Sequence, residues 1–283
     1  MSLELKTFRK EHFDALHKAF INAFSDYYLK FSPTREQFAR RVFQKLNISL
    51  ELSALAWQAD MVSSFVLHTI NTYQGIKTIY NGGTGTILTA RRTGGATKLY
   101  EFLMPVLRES GAERILLEVI DKNSQGQNLY ESLGFRFNRV LRCFTLKQQL
   151  SNTKPDQITI ETKNQWNPSY TDFMSFEPSF MDSSHQLQYN LANEVILEAK
   201  YDGSLAGYLV FQNPGGRVSQ IAVKSNFRNK GVGQSLLAAC QNLCESKQIS
   251  LMNIPEGEIA TIDALEAMGF VNELNQFELE LII

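Results

Sequence analysis

The chain has 283 residues, of which 43% are hydrophobic, enough for two domains with separate cores. Its 28 Lys+Arg against 29 Asp+Glu, a net charge of −1, exclude a strongly basic nucleic-acid binder. No run approaches the ~18 uninterrupted apolar residues of a membrane span, and Met1–Lys10 carries charges where a secretory leader needs an apolar core. A cytoplasmic protein with neither nucleic acid nor membrane as partner is the expectation.

The two halves differ in charge: residues 1–150 carry 20 Lys+Arg and 13 Asp+Glu (+7), residues 151–283 carry 8 and 16 (−8). Such lobes attract each other; an acidic lobe also draws in a cationic acceptor. Cys240 and Cys244 lie four apart on an apolar helix face and Cys143 sits in a strand-like run, so buried thiols are expected rather than a disulfide framework or a metal site.

In chain order, a strand at Leu3–Phe8 precedes an amphipathic helix from about Glu11 to Phe24. An aromatic loop follows, Ser25-Asp26-Tyr27-Tyr28-Leu29-Lys30-Phe31-Ser32-Pro33. Thr34 and Gln37 have the spacing of a capping box for a helix ending near Leu46. Strands are expected at Glu51–Gln58, Val62–Thr69 and Ile79–Leu88. Arg91-Arg92-Thr93-Gly94-Gly95-Ala96 then opens a helix that Pro105 should kink. Arg114–Ile120 reads as a strand, Leu129–Leu133 as helix, Gly134-Phe135 as its stop, and strand character resumes to Leu146.

After a polar linker containing Pro155 the order recurs. Strands are expected at Gln157–Thr162, Glu194–Lys200, Leu205–Phe211 and Val218–Val223, with turns at Tyr201–Ser204 and Asn213–Gly216. Then come Arg228-Asn229-Lys230-Gly231-Val232-Gly233, a helix to about Ser246, strand Ile249–Ile254, a helix ending in Met268-Gly269-Phe270, and strand Gln276–Ile282. Two domains follow from this reading, 1–148 and 156–283. Arg91-x-x-Gly94-x-Ala96 and Arg228-x-x-Gly231-x-Gly233 occupy the same place in both copies, as do Leu133-Gly134-Phe135 and Met268-Gly269-Phe270. Duplication of one domain at a period of about 136 residues is the implication.

Glycines between a strand and a helix start suit an anion, because a helix N-terminus presents unpaired N–H groups and glycine has no Cβ to hold the anion off. A glycine pair by itself is equally an ordinary turn. No Lys-Ser or Lys-Thr follows the second glycine, as a nucleotide-triphosphate loop requires, and the third glycine of a dinucleotide turn is missing.

The pattern resembles the Q/R-x-x-G-x-G/A signature of the GNAT superfamily of acyl-CoA N-acyltransferases, here as two tandem domains of the bacterial type, with Gly83-Thr84-Gly85 on the strand before the first turn. The resemblance implies an α/β fold, a mixed sheet with helices on both faces, in each domain. It also implies acetyl-CoA as co-substrate without a metal, and a small-molecule amine as acceptor. Carried over residue by residue, Ile221, Ala222 and Val223 would pair with the pantetheine arm, and Arg228, Asn229, Lys230, Gly231, Val232, Gly233 and Gln234 would hold the pyrophosphate. Arg91, Gly94 and Ala96 are their first-half counterparts. Tyr130 matches the family's general acid for the departing thiolate and is equally a half-buried helix aromatic; Leu265 occupies its place in the second half.

The base that must deprotonate the acceptor ammonium is not evident. Glu256, Glu258 and Asp263 stand near the expected thioester end, where helix starts commonly carry carboxylates. His12 and His17 read as helix surface, and His68 and His185 have no partner visible in sequence. Phe24, Asp26, Tyr27 and Tyr28, or Phe176, Phe180 and Asp182, are candidates for the acceptor pocket, although aromatic clusters are more often core. An N-acetyltransferase is the leading expectation; a CoA-binding protein without turnover and a transferase of longer acyl or aminoacyl groups are the alternatives.

Overall fold

The computed structural model describes residues 3–29, 32–151, 154–213 and 215–283. Lys30 and Phe31 of the aromatic loop, residues 152 and 153 of the linker and Pro214 of the second-half turn lie outside the described residues. Contacts divide the chain into one unit of Met1–Asn138 with Glu278–Ile283 and a second of Arg139–Phe277. The expected boundaries at 148 and 156 follow the order of the repeats. The units instead divide the long closing strand of each repeat, so 139–148 fall in the second and 278–283 in the first.

The first unit contains β1 (Glu4–Thr7), α1 (Phe13–Ala23), α2 (Arg35–Arg40), β2 (Ala54–Gln58), β3 (Met61–Tyr73), β4 (Ile76–Thr86), α3 (Gly95–Glu109), β5 (Arg114–Ile120), α4 (Ser124–Ser132) and the start of β6 (Arg136–Leu146). Its strands lie in the order β1-β2-β3-β4-β5, with the chain's last residues beside β5. All pairs are antiparallel up to β4, and β4 with β5 is parallel. Gln74 and Gly75, both at positive φ (55° and 76°), make the two-residue turn that lets β3 and β4 run longer than expected. Thr34 Oγ1 accepts from Gln37 N while Thr34 N donates to Gln37 Oε1, which starts α2 at the predicted box. The helix then widens to a π turn over Arg41–Lys45. The α3 helix runs through Pro105 as one element, because the missing donor falls on the solvent side where the carbonyl of exposed Glu101 reaches water.

The second unit contains the rest of β6, β7 (Ile158–Lys163), 3-10 turns at Pro168–Phe173 and Phe180–Asp182, α5 (Ser184–Leu187), β8 (Glu194–Tyr201) and β9 (Ser204–Gln212). It continues with β10 (Arg217–Val223), α6 (Val232–Leu243), β11 (Ile249–Pro255), α7 (Ile259–Ala267) and β12 (Val271–Ile282), the last as far as Phe277. Strand order is β6-β11-β10-β9-β8-β7. The apolar stripe of α6, Leu236, Leu237 and Cys240, packs with Leu209, Phe211 and Leu251. Full burial of each such leucine contributes about 1.5–3 kcal/mol. Cys240 and Cys244 are free and buried, and burial pushes the Cys240 thiol up. Among the described residues, no helix is long and apolar enough to cross a membrane.

His68 is wholly buried in the first unit, its Nδ1 2.7 Å from the carbonyl of Leu52 and its Nε2 without a partner among the described residues. Burial lowers its pKa from 6.5 to about 4, so the folded state holds it neutral while the unfolded chain protonates it first on acidification. Stability should therefore fall as pH drops from about 6.5 to about 4, by up to about 3 kcal/mol. Denaturation of a His68→Gln variant across that window should show a flatter pH dependence than the parent; an unchanged slope would place the titration elsewhere. Gly216 turns into β10 at φ +69°, where a Cβ would stand 1.9 Å from the carbonyl oxygen of Gln248. Gly216→Ala should cost more than about 2 kcal/mol, read as a lowered thermal midpoint, whereas Gly215→Ala, with open space around it, should leave the midpoint near the parent's.

Candidate functional site: a cleft between diverging strands

β10 and β11 pair in parallel at Arg217↔Ser250 and Val218↔Leu251, and there the pairing stops. Each strand is also irregular against its other neighbour. The β10 register on β9 shifts between Val218 and Gln220, and the β11 register on β6 shifts between Leu251 and Ile254, where Asn253 takes a left-handed φ of 63°. Bulges bend and twist the strands that carry them. The two therefore diverge around a cleft of about 550 Å³, lined by Phe173, Phe176, Tyr208, Leu237 and Leu265 among apolar groups and by Ser219, Gln220 and Asn253 among polar ones.

At one end lies the glycine turn. Asn229 (φ 59°) and Gly231 (φ 82°) wind the chain into α6, and Gly231 is the N-cap with no side-chain cap bond; a Cβ there would stand 3.3 Å from Pro155. Val232 is 1% exposed and anchors the turn to the core. A Cβ on Gly233 would come no nearer than 3.8 Å to Val223, so internal packing does not demand this glycine; its bareness leaves the amides approachable. Of the predicted donor residues, Ile221, Ala222, Val223, Arg228, Asn229, Gly231, Val232, Gly233 and Gln234 line the cleft. Lys230 instead holds its Nζ over the rings of Tyr201 and Phe227, 5.2 and 5.4 Å from their centroids. Arg228 donates from Nε to Val223 O at 3.3 Å and is exposed.

The opposite end is held by a hydrogen-bonded network that sequence reading missed. Asp182, 2% exposed, receives both guanidinium nitrogens of Arg217 at 2.8 and 2.6 Å. Burial alone would lower the Arg217 pKa; the facing carboxylate of Asp182 outweighs it and moves it up. Gln220 Nε2 donates to Asp182 O, and Tyr208 donates to Gln220 Oε1 at 2.8 Å. Asn253 donates to Ser179 Oγ at 3.1 Å and accepts from Gln276 at 2.7 Å. These bonds fasten the irregular segment 173–182, which has little helix or strand of its own, to the sheet. Phe176 and Asp182 of the predicted acceptor residues line the cleft, whereas Phe180 is core at 1% exposure. Of the three carboxylates near the expected thioester end, none of which the sequence singled out as a base, Glu258 lines the cleft, its side chain making no cap bond at the start of α7; Glu256 is paired with Arg142 at 2.6 Å and Asp263 lies on the exposed face of α7.

The first unit repeats the turn, with Arg92 at φ 65° and Gly94 at φ 77° in the places of Asn229 and Gly231. Ala96 supplies the methyl that Gly233 lacks and is 8% exposed. Arg91 donates to both carboxylate oxygens of Asp26, at 2.7 and 2.6 Å, and to Ala23 O at 3.0 Å. Tyr130 is 9% exposed, its ring 5.5 Å from Phe135 and 6.4 Å from Tyr100, and burial pushes its pKa up to about 12. Tyr27 and Tyr28 reach Asn123 and the carbonyl of Lys122.

The acetyltransferase (GNAT) family model matches residues 18–135 and again 162–270. Over 99% of this chain, the structure superimposes on a candidate acetyltransferase from Pyrococcus horikoshii (TM-score 0.75, 15% identity, 89% of that chain). It also superimposes on a tandem GNAT protein from the clavulanic acid biosynthesis pathway (TM-score 0.75, 12% identity, 98% of that chain). A GCN5-related N-acetyltransferase from Sphaerobacter thermophilus gives TM-score 0.73 at 13% identity, covering 99% of this chain and 95% of that one. At these identities the likeness is one of fold. No curated protein matches the sequence. With two family matches that together span most of its length, and a mixed sheet in each unit, the chain belongs to the acetyltransferase (GNAT) family as a tandem member.

Proposed function

We propose that the second unit is an N-acetyltransferase that moves an acetyl group from acetyl-CoA to the primary amine of a small molecule, by direct transfer in a ternary complex in the cytoplasm. The observation that carries this reading is the cleft between β10 and β11 with the glycine turn at its end, of a volume usual for small-molecule sites. The residues present fit the donor: Gly231 has the φ and Gly233 the open Cβ position that let an anion approach the amides.

The amides of Asn229 to Gly233, with Arg228, hold the pyrophosphate, and the edge of Ile221 to Val223 takes the pantetheine arm as an added strand. Acetyl-CoA supplies the activated acyl thioester. Backbone groups of Ile221 or Val223 polarise its carbonyl. An acceptor ammonium with a pKa near ~10.4 is mostly charged at neutral pH and must lose a proton. Of the two carboxylates lining the cleft, Asp182 is held by Arg217, and Glu258, with no cap bond to make, takes that proton directly or through one water. No proton transfer is assigned to Tyr130, which is packed against Tyr100 and Phe135 in the other unit.

A second reading, a CoA-binding protein without turnover, is favoured by one observation: Leu265 lines the cleft where the first unit has a tyrosine hydroxyl. Calorimetry with acetyl-CoA and a thiol-release screen of primary amines separates the two. Gly233→Leu should abolish donor binding without unfolding the chain; retained affinity would remove the donor assignment. Glu258→Gln should leave acetyl-CoA affinity intact and reduce turnover at least tenfold at neutral pH, with partial recovery as pH rises, as expected when a general base is lost. Tight acetyl-CoA binding with no thiol release from any amine would favour the binding protein.

A further inference from the structure

The buried serines are satisfied in two different ways. Ser53, Ser63, Ser183 and Ser235 each donate a hydroxyl hydrogen to a backbone carbonyl, Ser219 donates to Glu194 Oε2, and Ser64 shares a hydrogen bond with Thr86 Oγ1. Ser179, 2% exposed, only accepts, from Asn253 Nδ2 at 3.1 Å. Its own hydrogen has no acceptor among the described residues, and the side chain lines the cleft of the second unit. A buried donor left unmet costs more than an ordinary hydrogen bond contributes, so native proteins rarely leave one. A hydroxyl in that state on a cleft wall points to a partner that enters with the ligand.

The bonds behind Ser179 give it a direction. Gln276 Nε2 donates to Asn253 Oδ1 at 2.7 Å, Asn253 Nδ2 donates to Ser179 Oγ, and this chain of donors ends at the Ser179 O–H. Each bond in such a chain polarises the next and strengthens the last donor. Around it the wall is apolar, formed by Phe173, Met174, Phe176 and Pro178. Of the described side chains that line the cleft, Asp182, Arg228 and Glu258 are charged. Asp182 gives both carboxylate oxygens to Arg217, Arg228 stands at the glycine turn, and Glu258 serves the acceptor ammonium in the reading above. None of the three is left to balance a second ionic group on the acceptor, and an ion buried without its counter-charge is costly.

We propose that the acceptor is a primary amine on an apolar, otherwise uncharged frame that carries one hydrogen-bond-accepting oxygen, as an ether, hydroxyl or carbonyl, and that Ser179 selects that oxygen. The inference rests on the transferase reading made above for the second unit. A site that donates to a substrate oxygen rejects the analogue without it, because the buried hydrogen is then left unmet. Amines with a second ammonium or a carboxylate are rejected by the lack of a free counter-charge.

The test titrates the full chain, with saturating CoA present, by calorimetry with phenethylamine, its β-hydroxy and para-methoxy derivatives, spermidine and phenylalanine. Thiol release from acetyl-CoA is measured for the same five amines. At least one oxygen-bearing derivative should bind about fivefold or more tighter than phenethylamine, and Ser179→Ala should bring the pair within about twofold while leaving acetyl-CoA affinity unchanged. Ser179→Thr, which keeps the hydroxyl, should retain a preference for the oxygen. Spermidine and phenylalanine should bind more weakly than the best phenyl amine. Equal affinities within the oxygen pairs of the parent would overturn the proposal and assign the Ser179 hydrogen to solvent. A preference that survives in Ser179→Ala, shown folded by circular dichroism, would overturn it, as would a preference for spermidine or phenylalanine, or no binding by any of the five. If Ser179→Ala does not fold, Ser179→Cys, close in shape and a weaker donor, carries the same expectation. Turnover without an oxygen preference would leave the transferase reading and remove this one; an oxygen preference in binding without thiol release would do the reverse.

Discussion

The cleft depends on the point at which two parallel strands stop pairing. Backbone N–H and C=O groups require partners, so a strand that leaves its neighbour exposes a row of unmet groups unless something replaces the neighbour. In the second unit that separation follows Val218↔Leu251, and bulges in both strands, one with Asn253 at positive φ, drive it. A non-glycine residue held in that region costs about 1 kcal/mol or more and persists where the surroundings enforce it. Here the enforcement is visible: Asn253 is bonded on both sides of its amide, to Ser179 and to Gln276.

The irregular segment 173–182 shows how a wall of the cleft is held without helix or strand. Its anchor is the buried Asp182–Arg217 pair, extended through Gln220 to Tyr208 and through Ser219 to Glu194. Such a pair adds little net stability, because both ions lose their water, yet removing one partner typically costs about 3–5 kcal/mol by stranding the other. Its value is geometric: it fixes Phe173, Phe176 and Ser179 against the cleft.

Two copies of one fold illustrate why a fold is not a function. The turn dihedrals agree closely, Gly94 with Gly231 and Gly134 with Gly269. Side chains at matched places differ all the same: Tyr130 against Leu265, Ala96 against Gly233, and Arg91 paired with Asp26 where Arg228 is exposed.

Much of this was legible in the chain. The run Arg114–Ile120 gives its strand to the residue, because a short apolar stretch broken only by Glu118 and rich in Ile, Leu and Val suits a buried strand, and the Thr34/Gln37 box starts α2 as spaced. Weakly patterned ends were not legible: β12 begins at Val271 rather than Gln276, and α6 stops at Leu243 rather than near Ser246, since the first stretch alternates polar residues and the second has no breaker. The partner of His68 is a carbonyl sixteen residues away, and Tyr208 reaches the cleft through a strand that reads as ordinary core. The sequence by itself determined the repeat and the two glycine turns, because these depend on local backbone freedom and on spacing. Only the tertiary structure decided that the strands beside the second turn diverge around a cleft and that bonds of Asp182, Arg217, Gln220 and Asn253 hold its wall. Those bonds join residues 23–38 apart in the chain, and local pattern carries no record of such pairings.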